Sequence, residues 1–132
     1  MSFADDMQTR LHEFAMAAVR FARTLPESSE GREWSCQLRR ASTGASAAYR
    51  ASRRGKSKRD WLDKIADCVE ELDECDNWFS VIEDSKLMPV PQDLRSEANA
   101  VRAILAKSLA TGRDNERRRK ERFTARRKSD PE

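Results

Sequence analysis

The chain has 132 residues, room for one domain with a core of its own. A hydrophobic share of 38%, with three Trp and five Phe, excludes a disordered chain, and four Gly with four Pro argue against a turn-rich β fold. A charged share of 37% and a net charge of +3 leave a polar exterior, and no apolar run approaches the roughly 20 residues that a bilayer demands.

The first residues carry Asp5 and Asp6 and no basic n-region, so they do not read as a secretory leader. The expected compartment is the cytoplasm. From Phe3 to Leu25, the residues Met7, Leu11, Phe14, Ala18, Phe21 and Leu25 recur in alternating steps of four and three, which is one face of a helix. Pro26 ends that helix, because proline disfavours the α conformation in the residue before it, and Ser28 or Ser29 is a ready cap for the next.

A second helix is predicted from about Glu30 to Arg54, with Trp34, Leu38, Ala41, Ala45 and Ala48 on its inner face. Its middle, Ala41 to Ala48, is nearly all small residues. Gly44 and the serines lower helix propensity, so this stretch predicts the close approach of a neighbouring helix. A phosphate loop does not fit, since neither G-x-G-x-x-G nor G-x-x-x-x-G-K occurs.

Gly55 suits a helix C′ position, and Ser57 caps a third helix with Asp60 three residues on. That helix is predicted from Ser57 to about Leu87, with Trp61, Ile65, Cys68, Leu72, Cys75, Phe79 and Ile82 as an unbroken stripe that Leu62, Ala66 and Val69 widen. Met88-Pro89-Val90-Pro91 closes it. Gln92 or Asp93 opens a fourth helix bearing Leu94, Ala98, Val101, Leu105 and Leu109, with Ile104 beside them and Gly112 as its natural stop. Four amphipathic helices with short connections predict an all-α, up-down-up-down antiparallel four-helix bundle over residues 1–112.

Residues 113–132 differ in kind. They hold nine Lys or Arg against five Asp or Glu, net +4, whereas residues 1–112 hold 17 against 18, net −1. With Phe123 as its one aromatic, this basic tail either extends the fourth helix or stays disordered until a polyanion orders it.

Catalytic chemistry has little to work with. Cys68 and Cys75 lie seven residues apart on one helix, about 10 Å, beyond the about 7 Å that a disulfide spans, and read as reduced core thiols. Cys36 has no near partner, and His12 is the sole histidine. No metal, cofactor, catalytic residue or small-molecule substrate is expected, and the chain does not read as an enzyme. The carboxylates Asp63, Asp67, Glu70, Glu71 and Glu74 read as a solvated face, since no Glu-x-x-His accompanies them.

The charge pattern is sharper. Residues 39–59 hold eight Lys or Arg and no acid; residues 60–84 hold ten Asp or Glu against Lys64. The candidate nucleic-acid-binding residues are Arg39, Arg40, Arg50, Arg53, Arg54, Lys56, Lys58 and Arg59, together with Arg117, Arg118, Arg119, Lys120, Arg122, Arg126 and Arg127 in the tail. Arg39 and Arg40 have an equal alternative: pairing with Glu70, Glu71 or Glu74 across helices or between subunits.

The run Gln37-Leu38-Arg39-Arg40-Ala41-Ser42-Thr43-Gly44, the following Ala47-Ala48-Tyr49-Arg50-Ala51, the turn Arg53-Arg54-Gly55-Lys56-Ser57-Lys58, and Glu70-Glu71-Leu72-Asp73-Glu74 ahead of Trp78 resemble the bacterial four-helix bundle proteins. That family was first noted as reading frames inside intervening sequences of large-subunit ribosomal RNA genes. The likeness spans about Leu11 to Leu109. Such proteins are similar in fold to the accessory variability determinant of diversity-generating retroelements, a pentamer that binds reverse transcriptase and nucleic acid. The resemblance therefore implies a homopentamer with basic outer surfaces, RNA or DNA and a reverse transcriptase as partners, and no chemistry of its own. Ala48 stands where many relatives carry Asn, so no role of that asparagine is carried over. Two readings follow: a nucleic-acid-binding accessory module, or a structural or adaptor oligomer whose acidic and basic surfaces neutralise one another.

Overall fold

Three of the four helices start at a serine side chain that satisfies a free amide of the first turn. In a computed structural model describing residues 2–129, Ser2 and Asp5 form a reciprocal capping box ahead of α1 (Phe3–Ala22). Ser28 Oγ accepts from Gly31 N at 3.0 Å ahead of α2 (Ser29–Ser52), and Ser57 Oγ accepts from Asp60 N at 3.1 Å ahead of α3 (Lys58–Asp84). After Pro89 and Pro91, α4 runs from Gln92 to Ser129. Among the described residues there is no strand.

Each helix packs on its neighbours in sequence, and α4 closes back on α1, with α2 and α3 sharing the broadest seam and α1 and α4 the slimmest. Cross-helix pairs run antiparallel: Asp5 meets Arg53, Gly44 faces Glu71, and Asp73 meets Arg102. The expected four-helix bundle is the fold. Its core holds the stripes read from the sequence, with Leu11, Leu38, Ile65, Leu72, Phe79 and Val101 all fully enclosed. Cys68 and Cys75 sit there as buried thiols, and burial pushes Cys68 up to about 12; Cys36 is exposed instead.

Three expectations need correction. The inner face of α2 turns further than its four-three spacing suggested: Trp34 and Ala48 are half-buried, while Ser42, Ser46, Tyr49 and Ser52 are inside. Ser42 and Ser52 fit because their hydroxyls bond back into their own helix, to the Arg39 carbonyl at 3.2 Å and the Tyr49 carbonyl at 2.6 Å. Gly55 adopts no left-handed conformation; the residue at positive φ is Lys86, at 64°, just past α3. Gly112 stops nothing. A Cβ there would stand 2.8 Å from Leu62 Cδ2 and 3.0 Å from Trp61 Cζ3, so glycine serves the close packing of α4 on α3, and the helix runs on.

Candidate nucleic-acid interface

The topology gathers charge at one end of the bundle. The start of α1, the end of α2 and the start of α3 all lie there, and α4 passes them at Gly112 before projecting 17 more residues, about 25 Å at 1.5 Å per residue. The turn 53–59 and the basic tail, far apart in sequence, therefore share one end. Leu62 lines a shallow hollow with Arg113, Glu116, Arg117 and Lys120, and the Lys58 ammonium stacks 4.5 Å above the Trp61 ring.

Within the turn the cations are not equivalent. Arg53 is a tether: its guanidinium donates to Asp5 Oδ1 at 2.7 Å and Gln8 Oε1 at 2.8 Å, joining α2 to α1. The same contact holds the Asp5 carboxyl below its ordinary value. Arg54, Lys56 and Arg59 are exposed and make no ion pair among the described residues. Arg50 is exposed on the last turn of α2.

The tail divides in two. In its first turns Arg117 bridges Asp114 at 2.6 Å and Glu121 at 2.7 Å, Arg118 reaches Asp114 at 3.1 Å, and Arg119 reaches Glu116 at 2.8 Å. Such i,i+3 and i,i+4 pairs support a helix that has left the bundle. Glu116 is held below its ordinary value first by the Arg119 hydrogen bond, and further by the charges of Arg119, Lys120 and Lys58. Beyond Arg119 no Lys or Arg is ion-paired among the described residues. Residues 120–128 carry five Lys or Arg against Glu121, and Lys120, Arg122, Arg126, Arg127 and Lys128 make no ion pair among the described residues. Arg113 and Lys128, which are not among the candidates named from the sequence, likewise make no ion pair among the described residues.

Arg39 and Arg40 stand apart. Both are exposed in the first half of α2, about 20 Å along the helix from its basic end. Neither pairs with Glu70, Glu71 or Glu74 within the chain; the Arg39 guanidinium donates to Ser35 Oγ at 3.3 Å. The acidic helix finds its cations on α4 instead, with Arg102 on Asp73 at 2.7 Å and Arg95 on Asp76 and Glu83 at 3.4 and 3.0 Å. Glu71 has no cation; its Oε2 lies 2.9 Å from where a Gly44 Cβ would be, and burial, then the charges of Glu74, Asp67 and Glu70, raise its carboxyl above the ordinary value. Among the described residues no group of His, Cys, Asp or Glu is arranged to hold a metal, and no helix is long and apolar enough to cross a membrane.

Neither a protein-family model nor a curated protein matches the chain. Among solved structures it is similar to a protein of unknown function from the S23 ribosomal protein family of Bacteroides thetaiotaomicron, with a TM-score of 0.74 and 17% identity over 81% of this chain and 97% of that one. That likeness is one of fold: an all-helical four-helix bundle.

Proposed function

We propose that this chain is a non-catalytic nucleic-acid-binding accessory protein of the bacterial four-helix bundle family, which grips phosphates while a partner enzyme, such as a reverse transcriptase, does the chemistry. The observation that carries the reading is that Arg54, Lys56 and Arg59 sit at the end of the bundle from which the α4 tail projects with its own cations. A helix that projects into solvent with the same charge on successive turns is destabilised by its own repulsion unless a polyanion lies along it. A ring of five subunits, the assembly the resemblance implies, would multiply such ends. The setting is cytoplasmic.

The test is retention on RNA, DNA or heparin as salt is varied. If about four of the unpaired tail cations touch phosphates of a single strand, deleting residues 113–132 lowers the slope of log affinity against log salt by roughly 3. Neutralising Arg54, Lys56 and Arg59 lowers it further. Unchanged binding in both variants overturns the proposal. A second reading rests on Asp63, Asp67, Glu70 and Glu71, which make no ion pair among the described residues: neighbouring subunits neutralise one another and the protein is an adaptor. It requires light scattering to show subunits separating when α3 carboxylates are neutralised, with no nucleic-acid affinity at any salt.

A further inference from the structure

Phe123 is one of two large hydrophobic side chains exposed among the described residues, 61% open to solvent, on a helix with no packing partner at that level. The four positions one turn away on its helical face are all basic: Arg119 and Lys120 before it, Arg126 and Arg127 after it. The Arg127 guanidinium lies 5.9 Å from the ring centroid, and a shallow hollow runs between Phe123, Arg119, Lys120 and Thr124. Like charges around an exposed ring neither stabilise the helix nor keep the ring dry.

We propose that Phe123 is a stacking platform for an unpaired base, and that the ligand at this site is single-stranded nucleic acid. This inference rests on the nucleic-acid reading above. A phenyl face flanked by cations matches a nucleotide in both its parts: the flat base lies on the ring, with the Arg127 plane beside it, and the phosphates on either side meet Lys120 and Arg126. A duplex offers only half of that match. Its bases are stacked on each other, so a phenyl ring in a groove meets base edges, and the cations alone contribute. The ribose is not part of the contact, so RNA and DNA strands should serve alike.

The experiment measures anisotropy of fluorescein-labelled strands of roughly 16 nucleotides, a site size within the range of known single-strand binders. RNA and DNA are each tested alone and annealed to their complements, against the full chain. Phe123→Ala is expected to weaken single-strand binding by roughly 5- to 150-fold, to leave duplex binding within about twofold, and to keep the salt slope. Phe123→Tyr restores the single-strand affinity. The ring is exposed, so the thermal melt of the alanine variant matches wild type. Equal weakening on strands and duplexes, or no weakening while Lys120→Ala with Arg126→Ala weakens both, overturns the stacking site and leaves the electrostatic reading standing. Failure of the wild-type chain to bind any strand or duplex overturns both.

Discussion

Gly31→Ala tests how the chain enters its second helix. Gly31 is the third residue of α2, and a Cβ there would stand 1.9 Å from the Pro26 carbonyl oxygen, 3.0 Å from its carbon and 3.2 Å from Ser28 Oγ. A comfortable carbon–oxygen contact is about 3.3 Å, so the Pro26 peptide would have to retreat by about 1.4 Å. That peptide accepts from Ser28 N at 2.8 Å, and Ser28 caps the helix through Gly31 N, while Leu25 beside it is 8% exposed. Losing most of the cap and of the turn hydrogen bond costs about 1 kcal/mol each, and partial release of Leu25 about 1 more. Alanine returns at most about 1 kcal/mol through helix propensity. The net is a loss of about 2 kcal/mol, or roughly 6–10 °C in Tm for a domain of this size. Urea melts followed by circular dichroism should show a lower midpoint at unchanged slope. A variant as stable as wild type, or more so, would refute the seating of Pro26 on the helix and the reason for glycine there.

Two carboxylates should respond to pH with opposite signs. Arg10 donates to both oxygens of Glu97 at 2.8 and 2.7 Å across the slim α1–α4 seam, and this holds Glu97 below its ordinary 4.5. Its contribution is present above that value and lost as pH falls through the lowered one, so Glu97→Gln costs at most about 1 kcal/mol at pH 7, both side chains being partly exposed, and nothing in strong acid. Melts of both proteins across pH should converge on acidification; a gap that persists rules out the ion pair. Glu71 titrates above its ordinary 4.5, so its charge opposes folding once pH rises through the raised value. Glu71→Gln should gain about 0.5 kcal/mol at pH 7 after solvent screening and nothing below pH 4, and a loss at pH 7 would contradict the crowding of carboxylates around it.

The bundle was legible in the sequence because each seam repeats its own residues. Met7 through Phe21 on α1, Ile65 through Ile82 on α3 and Leu94 through Leu109 on α4 needed only a period to be placed inside. On α2 the pattern misled, since alanines and serines differ too little in hydrophobicity to mark a face, and the inward turn of Tyr49 and Ser52 depends on the helix beside them. Gly112 misled for a related reason: a glycine after an apolar run reads as a stop, yet here it makes room for Leu62 and Trp61, which lie 50 and 51 residues away along the chain. The ends of the candidate site, turn and tail, could be named from composition. That they lie together follows from helix order and length.

Counting cations in a sequence overstates what a protein can offer a polyanion. Arg10, Arg53, Arg95 and Arg102 bond to carboxylates on neighbouring helices, and Arg117, Arg118 and Arg119 to carboxylates on their own. Those arms hold the bundle and the first turns of the tail in shape. Among the described residues, what is left without a carboxylate is not spread evenly: it concentrates in the turn after α2 and in the last turns of α4, where Phe123 also stands clear of the core. An intrahelical pair must give up its carboxylate before it can hold a phosphate, whereas an unpaired cation exchanges water and counterions alone. Affinity should therefore follow the unpaired positions, and the order in which substitutions weaken binding, Lys120, Arg122, Arg126 and Arg127 ahead of Arg117, Arg118 and Arg119, separates this account from one in which every basic residue counts the same.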